Sequence, residues 1–306
     1  MKLAIAVLVI SLSGLSVLAQ GPPTLRIVTE VPSLPSELFY GDIRVKPLRL
    51  RPGTNTPITI NDADFFVHQQ YVDFLSRMPD QSGFTFWVNQ ITSCGGNGAC
   101  VDGQRVNSSG AFFLSIEFNG TGYFVYRLHK GSFGDLPRYS TFMPDTRQVG
   151  NGVIVGQGDW QGTLAANQTA FAEAWVNRPA FLAQYPTTLS ANAYVSNIIA
   201  TAGLTGQVDP GPIVSQMGAG YPSATSRAIG LRRVIESSAF DTKEKSPAFV
   251  LMQYFGYLRR NPNDAPDNNL DGYNFWLTKL NQHNGDFHAA EMVRAFIVAG
   301  EYNSRF

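Results

Sequence analysis

The chain repeats itself, and that repetition is the strongest constraint on its fold. Phe66, Tyr71, Leu75, Arg77 and Pro79 recur as Phe249, Tyr254, Leu258, Arg260 and Pro262 at one constant offset. After an insertion in the second copy, Gly83, Phe86 and Trp87 return as Gly272, Phe275 and Trp276. Further along, Ala111-Phe112-Phe113 with Glu117-Phe118 is answered by Ala295-Phe296-Ile297 with Glu301-Tyr302. Two stretches that match in so many residue types are expected to fold alike, as two copies of one unit.

That unit reads as helical. Val67, Tyr71, Phe74 and Leu75 fall on one helical face, as do Val250, Tyr254, Tyr257 and Leu258. Asn61 with Asp64, and Ser246 followed by Pro247, are the expected helix starts. Both first helices close on Arg-x-Pro, because proline lacks the N–H that would continue the ladder. Asp80 and Asp271 are expected to cap the helices that follow. The expectation is therefore a mainly α fold: a multi-helical domain from two repeated three-helix modules, residues 61–130 and 246–306. Between them lies a helical region, 165–245, with segments at 167–176, 175–185, 191–204 and 227–240. A Gly/Pro-rich connection at 131–164, with a short hairpin around Val153-Ile154-Val155, and another at 206–221 read as long irregular connections. Residues 20–60 read as an extended N-terminal arm with one or two short strands.

Residues 1–19 have the pattern of a signal peptide: Lys2, an apolar run from Leu3 to Leu18, and the small Ala19 before the expected cleavage point. Gly21-Pro22-Pro23 would stop any helix there. No later stretch is apolar and long enough to span a bilayer, so the mature chain is expected to carry no membrane span. The chain is expected to be secreted or exported, to the periplasm, the cell surface or beyond. Its 23 basic and 23 acidic residues balance, which argues against nucleic acid as a partner. The only cysteines, Cys94 and Cys100, bracket a Gly-rich segment; in an oxidising compartment they are expected to form a disulfide.

The pattern Phe-x(4)-Tyr-x(3)-Leu-x-Arg-x-Pro, then Gly-x-x-Phe-Trp, then a helix ending in Glu-Phe or Glu-Tyr resembles the bacterial family called domain of unknown function 4214. Both copies carry it, over residues 62–124 and 247–306. The resemblance implies a helical module of secreted and surface proteins, often set beside repeat or adhesive domains. That family carries no established reaction and no agreed catalytic residues, so it assigns none here.

Four constellations could carry chemistry. Asp267, Asn269, Asp271 and Gly272 match the first half of an EF-hand loop, which makes calcium the one candidate cofactor. Phe275 and Thr278 depart from the rest of that loop, and the competing reading is an Asx-rich turn. Arg77 with Glu117 and Arg260 with Glu301 recur in both copies and are expected to be structural ion pairs. Trp87, Trp276, Phe86 and Phe275 are expected mostly in the core, leaving Tyr123, Trp160 and Tyr221 as candidates for an exposed sugar platform. His68, His129, His283 and His288 form no zinc-protease motif, and no nucleophile elbow or phosphate loop is present. The expected role is an exported non-enzymatic structural or interaction protein, adhesive or envelope-associated, whose partner is an extracellular protein or a glycan. The alternatives are a carbohydrate-binding module and an extracellular hydrolase with converging carboxylates.

Overall fold

A computed structural model describes residues 49–306, together with the backbone of residues 25–28, 37–40 and 43–45. The signal-peptide reading of residues 1–19 lies outside the described residues. The three short N-terminal strands, β1 (Leu25–Val28), β2 (Glu37–Tyr40) and β3 (Ile43–Val45), form an antiparallel meander. Leu25 pairs with Tyr40, and Tyr40 with Ile43. The sheet belongs to a separate compact unit from the helices. Three short strands therefore stand where one or two were expected. Residues 49–60 belong to the helical unit, where Ile60 is buried and Arg51 pairs with Asp62 and Asp64 at 2.8 and 2.9 Å.

The helical unit is mainly α, as the periodicity indicates. The first copy contributes α1 (Ala63–Leu75), α2 (Gln81–Thr92), α3 (Gly98–Leu114) and a short α4 (Ile116–Gly120). Then come α5 (Gly122–Phe133), α6 (Tyr139–Val149), α7 (Trp160–Trp175), α8 (Pro179–Gln184), α9 (Ala191–Thr201), α10 (Pro210–Met217) and α11 (Ala224–Ile235). The second copy consists of α12 (Ser238–Gln253), which runs into a π-helical turn at Tyr254–Leu258, then α13 (Asp271–Gln282), α14 (Met292–Ile297) and α15 (Gly300–Asn303).

Several boundaries differ from expectation for identifiable reasons. The 131–164 connection contains α6, whose buried Tyr139, Phe142, Met143, Thr146 and Val149 keep helical spacing despite Pro144. Asn261 helps hold its start, accepting from the Tyr139 N–H at 2.8 Å. No hairpin forms at 153–155; the segment is turns, with Val153 buried. The 206–221 connection likewise holds α10, capped by Asp209. Ser246-Pro247 is not a helix start. Ser237 caps the helix instead, its hydroxyl accepting from the Phe240 N–H, and Pro247 lies inside α12. At the first copy the cap position is Asp62, not Asn61, and its carboxylate turns back to the Thr59 N–H at 2.7 Å. The expected single helix at 227–240 is divided by Glu236 and Ser237 between α11 and α12.

The two copies meet directly. Phe74 and Tyr257 occupy matching positions and pack edge to face with ring centres 5.4 Å apart. Phe113 of α3 stacks on Phe249 of α12 at 4.2 Å. Tyr257 donates to Gln70 at 3.1 Å and hydrogen-bonds Ser109, deep inside the seam. Beside them the Asp73 carboxylate, 1% exposed, accepts from Arg259 at 2.9 Å and from Arg305 at 2.9 and 3.1 Å. Arg305 also donates to the carbonyls of Gly256 and Tyr257, which ties the C-terminal end of the chain to the seam. On the other side, α5 is the hub of the intervening helices. Its Tyr126 donates to Glu244 of α12 at 2.8 Å, and both are buried.

Buried phenols give the fold a defined alkaline limit. Burial pushes Tyr71, Tyr139 and Tyr254 up to about 12, whereas in an unfolded chain they ionise near ~10. Below about pH 10 they do not affect stability; between pH 10 and 12 the unfolded chain releases protons that the folded chain retains, so stability falls as pH rises. Urea midpoints measured across pH 8 to 12 should be flat at first and then drop steeply above about pH 10. A flat profile to pH 12 would contradict these phenol assignments.

Candidate functional site

The repeated motif builds the same clasp twice. In the first copy α1 ends on Ser76 in the left-handed conformation, and in the second the matching residue, Arg259, does the same. The next residue is the motif arginine. Arg77 reaches Glu117 through Nε and Nη2 at 2.5 and 2.8 Å, and Asp80 at 3.4 Å. Arg260 reaches Glu301 at 2.6 and 3.1 Å, and Asp267 at 2.9 Å. Each guanidinium also lies over its motif tyrosine, Arg77 5.0 Å from the Tyr71 ring and Arg260 5.5 Å from the Tyr254 ring. The motif glycine explains itself here. The Tyr71 hydroxyl occupies the space a Cβ at Gly83 would need, and the Tyr254 hydroxyl stands 2.7 Å from the same point at Gly272. With each arginine neutralised by two carboxylates and roofed by a ring, the clasp ties helix ends together.

Asp267 of the candidate calcium turn belongs to this clasp. Asp267 gives its Oδ2 to Arg260, and Asn269 and Asp271 bond to each other, Nδ2 to Oδ2 at 2.9 Å, within an Asx turn. Asp267 is already neutralised by Arg260 and Asn269 is bonded to Asp271, so these side chains as placed do not fit calcium. Among the described residues no group of three or more His, Cys, Asp or Glu is placed to hold a metal ion. Asp271 opens α13 but does not cap it; that position is Leu270. Asp80 does cap α2, accepting from the Gly83 N–H at 2.8 Å.

Cys94 and Cys100 are joined as a disulfide, with Cα atoms 5.5 Å apart, across the turn between α2 and α3. Among the described residues no helix is long and apolar enough to cross a membrane.

The aromatic expectations are partly reversed. Trp87 and Trp276 are half-buried, each packing on the motif phenylalanine of its third helix, Phe112 and Phe296, at 5.9 Å. Phe86 and Phe275, however, are 52% and 58% exposed, each braced edge-on by the neighbouring tryptophan at 4.9 and 5.0 Å. Helical spacing alone could not reveal this, because Phe and Trp adjacent in sequence point 100° apart around the helix. Of the loop aromatics proposed as a platform, Tyr123 is buried in α5, and Tyr221 spends its hydroxyl on the Leu189 carbonyl. Trp160 opens α7 and is half-buried.

The repeat breaks at one place. Residues 99–107 are helical in α3, whereas the matching segment, residues 283–291, is a chain of turns. Asn284, Gly285 and Glu291 all have positive φ there. From this loop Phe287 packs against the bare backbone of Gly110, whose missing Cβ would fall inside the ring. A cleft opens on each side of it. One, of about 480 Å³, has Phe287, Phe249 and Phe113 at its base and Asp241, Lys245, Ser246 and Asn284 on its walls. The other, of about 320 Å³, holds His288, Glu291 and the pair Asp102–Arg294 at 3.4 Å. Neither was legible in the sequence as a site, although Asn284-Gly285 marks the turn. His129 sits away from the loop, 3.0 Å from Asp135, and burial lowers its pKa. Asp286 is held below the usual carboxylate range by the N–H groups of Ala289 and His288. That is the wrong direction for a general acid, which needs a raised pKa.

No family model, no curated protein and no solved structure matches this chain.

Proposed function

We propose that the chain is an exported, non-enzymatic interaction protein that engages a repetitive extracellular partner, a glycan polymer, through the same contact point on both modules. One observation carries this reading: Phe86 and Phe275 stand exposed at matching positions, each braced by a tryptophan. A ring held edge-on by a second ring presents a fixed, flat apolar face to a ligand. Their neighbours one helical turn away are polar in both copies: Ser82 and Asn89 beside Phe86, and Asp271 and Thr278 beside Phe275. An aromatic face ringed by hydrogen-bonding groups suits a sugar better than an apolar protein surface. Two equivalent points suit a ligand that repeats. The signal-peptide pattern, the disulfide and the resemblance to the domain of unknown function 4214 modules support an extracytoplasmic setting.

The test is a glycan array, followed by binding to the best-scoring polymer. Phe86→Ala and Phe275→Ala should each weaken polymer binding by roughly 100-fold through lost bivalency, and the double variant should abolish it. Undiminished binding by the double variant, or silence across the array, would overturn the reading.

A further inference from the structure

The loop that breaks the repeat does more than join two helices. The segment equivalent to the first half of α3 is helical in the first copy, whereas in the second three of its residues adopt positive φ. Two of those, Asn284 and Glu291, are not glycine, and that conformation costs them on the order of 1 kcal/mol each. The result is that Phe287 is wedged into the seam over Gly110, packing edge to face on Phe249 at 5.4 Å, with part of its ring left accessible. Above it the outward face of α12 and the Asn284–Asp286 turn form the two walls of the 480 Å³ cleft.

The chemistry of those walls limits the occupant. Two carboxylates, Asp241 and Asp286, and one ammonium, Lys245, line the cleft, a balance that disfavours anions. The rim of hydroxyl, amide and charged groups would be stranded beside an apolar ligand, and burying unpaired polar groups is costly. A molecule with a flat C–H face for Phe287 and an edge of hydroxyls for Asp241, Lys245, Ser246 and Asn284 satisfies both parts. We infer that this cleft is a binding site for a single pyranose unit, such as a terminal or branch residue of a glycan. The inference rests on the glycan reading above but concerns a different surface from Phe86 and Phe275. A volume of about 480 Å³ lies in the usual range for small-ligand sites.

The experiment is saturation-transfer NMR on the full mature chain with methyl glycosides of hexoses and N-acetylhexosamines. At least one should bind, with its ring C–H protons receiving the strongest transfer. Lys245→Ala with Ser246→Ala should reduce its affinity at least tenfold, and Thr242→Trp, which fills the cleft from an exposed position, should abolish it. Thermal melting confirms that each variant is folded. Phe86→Ala/Phe275→Ala should leave this binding intact. If no glycoside binds, or if the cleft variants bind as well as the parent, the pyranose site is overturned. Should the polymer still bind through Phe86 and Phe275 in that case, the proposed function survives without it. Loss of polymer binding in the Phe variants alongside intact glycoside binding supports both.

Discussion

Asp73→Ala is expected to destabilise the protein by about 3–5 kcal/mol, because it leaves two guanidiniums facing each other without their anion. Asp73 is 1% exposed, and Arg259 and Arg305 share its Oδ1, each at 2.9 Å. The attraction of the intact cluster is partly offset by the desolvation of its members, so its net worth is modest. Removing only the carboxylate forfeits the attraction and keeps the cost. For a domain of this size each kcal/mol lowers the melting temperature by roughly 2–4 °C, so a drop of about 10 °C is expected. Asp73→Asn keeps the shape and loses the charge, and it should recover only a small part. A loss below about 1 kcal/mol for Asp73→Ala would show that the seam does not depend on this cluster.

The second expectation uses the repeat against itself. Arg77→Ala and Arg260→Ala remove the same motif residue from the same clasp, yet they should differ in cost. The Glu117 side chain is 7% exposed, whereas that of Glu301 is 37% exposed. Without its arginine, Glu117 is stranded away from water and should cost about 3 kcal/mol. Glu301 can turn to solvent, and its loss should be about 1 kcal/mol, near the upper end of a surface pair. Asp80 and Asp267 lose the same guanidinium in each case. Urea denaturation of both variants measures the difference. Equal losses would mean that burial of the carboxylate does not set the strength of the clasp. Adding Glu117→Gln to Arg77→Ala should restore part of the loss, since the stranded charge is then gone.

The helical character was legible because the motif faces keep their spacing, and both Arg–Glu pairs could be named because each partner recurs at the same place in both copies. Where proline was treated as punctuation, the sequence reading misplaced the elements. Pro144 and Pro247 both lie inside helices whose buried faces outweigh one lost backbone hydrogen bond. At the Asp267–Asp271 turn the calcium-loop and Asx-turn readings could not be separated from sequence. Its oxygens alternate as in a calcium loop, but the guanidinium that claims Asp267 comes from Arg260, earlier in the chain and across the turn. The seam was illegible for a deeper reason. Asp73, Arg259 and Arg305 are far apart in sequence and share no motif, and only the packing of one copy on the other brings them together.

That packing also loosens a restriction that symmetry would impose. Were the two copies separate identical subunits meeting across an axis at the Phe74 and Tyr257 positions, every residue beside the axis would confront its own twin. An acid at position 73 would then face another acid, and their mutual repulsion would push the halves apart. Covalent linkage lets the twin differ: the residue matching Asp73 is Gly256, whose carbonyl shares Arg305 with the Asp73 carboxylate. One chain can therefore place an anion in one half and its cations in the other, a polarised joint that a symmetric pair cannot make at its centre.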